Sequence, residues 1–407
     1  MVRFIHSADL HLGMRITRFD QTTCDRIAEA RFASLQQLRE KAREHRADFV
    51  LIAGDMFDDH TVSRIDVASR AFAILEGSSG SCPVFVIPGN HDPLVPGGVW
   101  DRDPWLREQP HLRVHLLRTA EPLRVPNLPV TIFPCPLRQH RAMEDPTAWI
   151  AQHPRDTDDQ TIRIGLAHGS LNIMPLPADD HLIRKDAAEH YGLDYLALGH
   201  WHKRSLHSSS DGVERTAYCG THEPMRFSTG ADRDSIGWSS RSSDRDGERF
   251  QDDGHGTVLL VTIEAPGAPP RIEPIPTGRL SWQIDQRDMT AQPLGDLIAD
   301  YSRRADPERT ILRLTLSGIV EPRGYARIGE LEQIVRNRFH AGSTLDAEAV
   351  LIEPSPEQLA EAVGVGVLSR VLEKLKEEAR SPDAAARVVA DHALKLLYRI
   401  AMEEQPT

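Results

Sequence analysis

Five short apolar runs mark the first two hundred residues: Arg3-Phe4-Ile5, Phe49-Val50-Leu51-Ile52, Val84-Phe85-Val86-Ile87, Ile162-Arg163-Ile164-Gly165-Leu166 and Tyr195-Leu196-Ala197-Leu198. Most are apolar at nearly every position. A strand with one wet face alternates apolar and polar residues, whereas a strand covered on both faces has no need to. The runs therefore predict central strands of a covered sheet. Between the first two, residues 24–45 place Ile27, Phe32, Leu35 and Leu38 on one helical face. A second helix is expected over Ser63 to Leu75. Strand and helix in alternation predict a layered α/β core.

Each run ends in residue types that bind metal ions. The first leads into Asp9-Leu10-His11, the second into Gly54-Asp55, and the third into Gly89-Asn90-His91-Asp92. The fourth ends at His168-Gly169 and the fifth at Gly199-His200-Trp201-His202. Functional groups of open α/β sheets gather beyond the carboxyl ends of strands, so five such clusters can converge on one site. Carboxylate, imidazole and amide oxygen without cysteine favour Mn²⁺, with Fe²⁺ or Zn²⁺ as alternatives, and disfavour a structural zinc site. Two ions that clamp the oxygens of a phosphoryl displacement need a shared carboxylate. Asp55, alone on a glycine turn, is the natural bridge. Taken singly, Asp-x-His or Gly-His-x-His also fits a surface turn; the five clusters together, each after an apolar strand, do not.

The remaining features bound the problem. A chain of 407 residues is too long for one core and predicts two or three domains. The net charge of −12 argues against coating nucleic acid by general attraction, though not against a local phosphate site. Cys24, Cys82, Cys135 and Cys219 are far apart and form no Cys-x-x-Cys pair, which suits reduced thiols in a cytoplasmic protein. No apolar run is long enough for a bilayer, and the first twelve residues do not read as a secretory signal. No P-loop motif is present. Residues 227–256, rich in Ser, Asp, Arg and Gly, predict a mobile loop. Thr257 to Ile263 predicts a strand, and Ala265 to Pro276, with five prolines, a linker. The expected organisation is a phosphoesterase domain over 1–277, a small α/β cap over 278–354, and a helical segment over 355–407.

The quoted motifs resemble those of the calcineurin-like metallophosphoesterases. Ser7-Ala8-Asp9-Leu10-His11-Leu12-Gly13 and Gly54-Asp55-Met56-Phe57-Asp58 resemble the SbcD-type DNA repair exonucleases, and Tyr195 to Arg204 their YhaO-like branch. The resemblance implies a layered metallophosphoesterase sandwich with a small α/β cap and a carboxy-terminal helical segment. It implies one ion held by Asp9, His11, Asp55 and His202, and a second held by Asp55, Asn90, His168 and His200. His91 would protonate the leaving oxygen, and Asp92 would orient His91 and hold it cationic. The implied activity is exonuclease action on double-stranded DNA ends, with endonuclease action on single strands. Rival readings are a small-molecule phosphodiesterase or phosphatase of the same superfamily, and a scaffold that binds DNA ends without cutting.

Arg15, Arg18, Lys203 and Arg204 are either phosphate contacts along a DNA path or solvated surface charge. Trp201 is expected in the core and His222 in a turn. Leu368, Val371, Leu372 and Leu375 form one apolar stripe, and Val389, Ala393, Leu396, Leu397 and Ile400 another. Such stripes need cover: from the cap, from a homodimer, or from a partner. The resemblance favours an SMC-like coiled-coil ATPase of the YhaN or SbcC type.

Overall fold

The computed structural model describes residues 1–61, 65–77, 82–102, 105, 112–227, 254–353, 359 and 367–403. Most of the segment expected to be a mobile loop, residues 228–253, lies outside the described residues. The chain divides into two compact units, Met1–Leu280 and Ser281–Thr407.

The first unit is a sandwich of two six-stranded sheets. Its strands are β1 (Val2–Ser7), β2 (Phe49–Ala53), β3 (Val84–Ile87), β4 (Val114–Leu116), β5 (Leu123–Arg124), β6 (Val130–Cys135), β7 (Ile162–His168), β8 (Tyr195–Gly199), β9 (Ser205–Ser208), β10 (Glu214–Tyr218), β11 (Thr257–Ile263) and β12 (Arg271–Pro276). One sheet runs β12-β11-β1-β2-β3-β4 and the other β5-β6-β7-β8-β10-β9. In the first, β1 to β4 are mutually parallel. In the second, β6, β7, β8 and β10 are parallel.

Both faces of the first sheet are covered, which is why its strands read as unbroken apolar runs. Phe4, Phe49, Leu51, Leu259 and Val261 meet Ile132, Ile164, Leu166 and Tyr195 between the sheets. The alternate residues Ile5, Val50, Ile52, Val258 and Leu260 face the helices over Gln21–Glu44 and Ile65–Glu76. Ile27, Leu35 and Leu38 are buried, as the helical spacing predicts. Asp20 starts the long helix by accepting the Thr23 N–H at 3.0 Å.

The expected proline linker is not one. Within it, β12 pairs antiparallel with β11, and Pro274 and Pro276 stand opposite Leu259 and Thr257. Proline lacks the N–H a central strand must donate, but β12 is an edge strand and needs bonds on one side only.

The second unit carries three parallel strands in the order β13 (Ser281–Asp288), β14 (Thr310–Val320) and β15 (Thr344–Ile352). The helices Leu294–Arg303 and Ile328–Arg338 contribute Leu297, Tyr301, Leu331 and Val335 to a core with Leu312, Leu314 and Val350. Of the terminal helices, Val367–Glu378 supplies Leu372 and Ala384–Glu403 supplies Leu397, Tyr398 and Ala401 to a cluster with Ile352. The other face stays open: Val388 is 70% and Val389 67% exposed, and Leu368, Val371 and Ile400 are also exposed. No helix among the described residues is long and apolar enough to cross a membrane.

Candidate metal centre

The five ligand clusters sit just beyond β1, β2, β3, β7 and β8. The two sheets therefore bring Asp9, His11, Asp55, Asn90, His168, His200 and His202 to one end of the sandwich. Asp9, His11 and His202 can share an ion, and so can Asp55, His168 and His200. Local backbone strain accompanies this convergence. Asp9, His11, Asp55 and His200 all have positive φ, at 54°, 43°, 50° and 110°. Such conformations cost about 1–3 kcal/mol each outside glycine and persist only where the surrounding fold imposes them. Gly89 is required for a related reason. A Cβ there would lie 2.2 Å from Asp55 Oδ1.

The spacing of donor atoms fits bound cations. Two ligands each about 2.1 Å from an ion, at right angles, lie about 3 Å apart. His11 Nε2 and His202 Nε2 are 3.0 Å apart. Asn90 Oδ1 is 2.8 Å from His168 Nε2 and 2.9 Å from His200 Nδ1, and His168 Nε2 is 3.3 Å from Asp55 Oδ2. The bonding on the far side of each ring agrees. His168 Nδ1 donates to the Ala53 carbonyl at 2.8 Å, so a neutral His168 turns its lone pair toward the Asn90 and Asp55 oxygens. Acceptor facing acceptor in a buried place calls for a cation. His11 is arranged alike, with Nδ1 3.1 Å from Asp58 Oδ1 and Nε2 toward the centre.

The electrostatics show the same need. Asp9 and Asp55 are both buried. Burial, with Asp55 adding to it, raises Asp9 to about 7. Burial also acts to raise Asp55, but the His168 charge and hydrogen bond, with His11 and His91, hold it below the usual carboxylate range. Burial acts to lower His168, yet Asp55 outweighs it and raises the ring to about 9. Burial and the neighbouring His168 lower His200 to about 4, and burial with His11 lowers His202 to about 3. Two rings are thus ready as neutral ligands, while a third holds a proton that an ion would replace.

His91 lies at the edge of the centre and is exposed, with its ring edge-on to His11 at a centroid distance of 4.7 Å. The contact expected from Asp92 comes instead from Asp58. His91 Nδ1 is 2.9 Å from the Asp58 carbonyl oxygen. Asp92 is buried and its oxygens accept the N–H groups of Gly89 at 2.7 Å and Phe57 at 2.9 Å. Its backbone carbonyl also accepts from the Trp100 indole. It fastens the β3 loop to the β2 loop, with both of its oxygens engaged there.

Other expectations separate cleanly. Arg204 is buried and donates to Thr257 Oγ1 at 3.1 Å, so it is not a surface phosphate contact. Arg15 and Arg18 are exposed. His222 is buried, with Nε2 3.1 Å from the Arg31 carbonyl. Trp201 is half-buried and stacks on Tyr218 at 4.5 Å. Two residues that face candidate ligand histidines escape sequence reasoning. Asp58 closes the Gly54–Asp58 motif but has no role there, and Asp180, which stands 3.4 Å from His200 Nε2, belongs to no motif. Asp58 also forms a third group with His11 and His91 that could hold an ion, and only the fold brings it and Asp180 in.

Imidazole, carboxylate and amide donors at ion-ligand spacing, beyond the strand ends of a two-sheet α/β sandwich, define a metal-dependent phosphoesterase. Comparison with known families agrees: residues 2–204 match the calcineurin-like phosphoesterase family, and the chain belongs to it. It is 31% identical over 223 residues to the uncharacterized metallophosphoesterase YhaO of Bacillus subtilis, a match covering 51% of this chain and 50% of that protein. It is 28% identical to the DNA double-strand break repair protein Mre11 of Methanocaldococcus jannaschii, over 54% of this chain and 56% of the relative. It is 25% identical to one of the subunits of the nuclease SbcCD of Escherichia coli K12, over 56% of this chain and 62% of the relative. These matches span about half the length of the relatives, or somewhat more.

Proposed function

We propose that this chain is a DNA nuclease that hydrolyses phosphodiesters with two divalent ions, Mn²⁺ foremost. The observation that carries the reading is the set of donor atoms about 3 Å apart on both sides of Asp55. Asp9, His11, Asp55 and His202 would hold one ion, and Asp55, Asn90, His168 and His200 the other. When bound, such a pair supplies charge for the phosphoryl oxygens and a nucleophile at neutral pH. The chain's own groups do the rest. Asp55 holds the two halves in register. His91, turned outward with Nδ1 on the Asp58 carbonyl, has Nε2 free to deliver a proton to the leaving oxygen. Two of the relatives, a double-strand break repair protein and a component of a nuclease, support DNA as the substrate.

The test compares cleavage of linear double-stranded DNA, single-stranded DNA, a cyclic nucleotide and bis(p-nitrophenyl) phosphate with Mn²⁺, using Asp55→Ala as control. DNA cleavage that exceeds hydrolysis of the small esters, and is lost in the control, supports the nuclease. Faster turnover of the small esters points to a phosphodiesterase instead.

The partner we infer is an SMC-like coiled-coil ATPase that covers the open face of the terminal helices at Leu368, Val371, Val388 and Val389. Because these residues are exposed, Val388→Asp with Val389→Asp leaves the helices packed on Ile352. It should abolish co-purification with the ATPase and spare Mn²⁺-dependent cleavage of a small phosphodiester. Retained binding rules out this face.

A further inference from the structure

Asp180 lies twelve residues past His168 and belongs to no motif, yet the fold clips it in place. Its backbone pairs with Ala142 in a parallel bridge, and the next residue, His181, donates its N–H to the Ala142 carbonyl at 3.1 Å. Two residues further on, Ile183 bridges to Leu171, and its N–H reaches the Ser170 carbonyl at 2.8 Å. These bonds hold the backbone on both sides of the carboxylate.

That carboxylate makes two connections. Oδ2 accepts the Ser170 hydroxyl at 2.6 Å, and Oδ1 stands 3.4 Å from His200 Nε2. The Ser170 oxygen in turn accepts the Trp201 indole N–H at 3.0 Å. Ser170 follows His168 by two residues and Trp201 follows His200 by one. The chain His200–Asp180–Ser170–Trp201 therefore ties together the ends of β7 and β8, which carry two of the ligand histidines.

A neutral imidazole has one N–H and one lone pair. A carboxylate opposite Nε2 keeps the hydrogen there and leaves the lone pair on Nδ1, which lies 2.9 Å from Asn90 Oδ1. The other half of the centre uses the same device on the opposite nitrogen, since Asp58 faces His11 Nδ1 and leaves Nε2 for the centre. We propose that Asp180 is the positioning residue that fixes His200 as its Nε2–H tautomer and so presents Nδ1 to a divalent ion. This rests on the proposed assignment of His200 as a ligand.

The test measures Mn²⁺ binding by calorimetry and the His200 tautomer by nitrogen NMR of the metal-free, full-length protein. The variants are Asp180→Leu, Asp180→Asn and His200→Ala. Asp180→Leu, similar in size but without an acceptor, should shift His200 away from the Nε2–H form and weaken one of the two sites by about 10–100-fold. Asp180→Asn keeps an acceptor oxygen, and should recover part of both. Should the leucine variant fail to fold, Asp180→Asn carries the test alone, as intermediate affinity with a mixed tautomer. Wild-type affinity and tautomer in the Asp180 variants, with weakened binding in His200→Ala, overturn the role of Asp180 alone. Unchanged binding in His200→Ala overturns the ligand reading instead. A lower melting temperature with an unchanged tautomer assigns Asp180 a purely structural part and also overturns the proposal.

Discussion

The two candidate ligand groups beside Asp55 are built differently, and the proposed function makes Asp55 the ligand they share. The first half sets Asp9, His11 and His202 together, with two imidazole nitrogens face to face at 3.0 Å. Its ring His202 is lowered to about 3 by burial and His11, so it is neutral at any physiological pH. The second half surrounds the Asn90 oxygen with His168 and His200. There burial of His168 is outweighed by Asp55, and the ring rises to about 9. An ion entering the second half must displace that proton. Under the proposed assignment, the difference teaches that one carboxylate could serve two sites and still leave them unequal, since Asp55 Oδ2 is 3.3 Å from His168 Nε2 and 3.8 Å from His11 Nε2.

Four experiments break or sharpen this contrast, ordered by their effect on ion content. Asp55→Ala removes the shared ligand and should abolish binding in both halves, with hydrolysis falling to background; metal analysis after gel filtration decides it. A variant that keeps either ion would show that the halves are independent. His202→Ala should empty the first half only, halving the Mn²⁺ bound at saturation. Loss of both ions would make the second half depend on the first.

A smaller, graded effect is expected from pH. His168 is raised, so its proton is present below about 9 and is lost as pH rises through that value. Ligands must be deprotonated to bind, so affinity of the second half should rise with pH up to about 9, by about tenfold per unit for one proton. Asp9, raised to about 7 by burial and by Asp55, gives the first half a separate dependence that ends near neutrality. Calorimetry in buffers of different ionisation enthalpy counts the protons released; none released at pH 7 would refute the contrast. The smallest effect on ion content is His91→Asn, which should leave both ions in place while lowering turnover by about 10²–10⁴-fold. Ion loss in that variant would make His91 a ligand.

Much of this is legible in the chain itself. β1, β2, β3, β7 and β8 announce themselves because burial on both faces removes the polar positions that blur a strand. The residues after them mark the centre for the same reason, being the first polar groups the buried strands release. β6 escapes notice, since Pro134 interrupts its run, although its partner is a buried central strand. β12 is hidden by prolines that only an edge position permits. Asp58 and Asp180 are illegible as contacts, since each acts on a histidine whose ring only the folded chain brings near. Asp92, which the resemblance assigns to orienting His91, instead accepts the Gly89 and Phe57 N–H groups, a use that only the folded loops reveal. The buried Arg204 looks like surface charge because no local pattern distinguishes the two.

The left-handed turns at Asp9, His11, Asp55 and His200 join strands from both sheets, and His11 and His202 meet across 191 residues of chain. Asp9 and His11 are close in sequence, but the third member of their candidate group, His202, comes from the other sheet. Long-range contacts must meet their loop-closure cost before they return anything, so the full candidate ligand set comes together only with both sheets in place. Under the proposed assignment, full ion affinity would therefore be acquired only once the sandwich has closed.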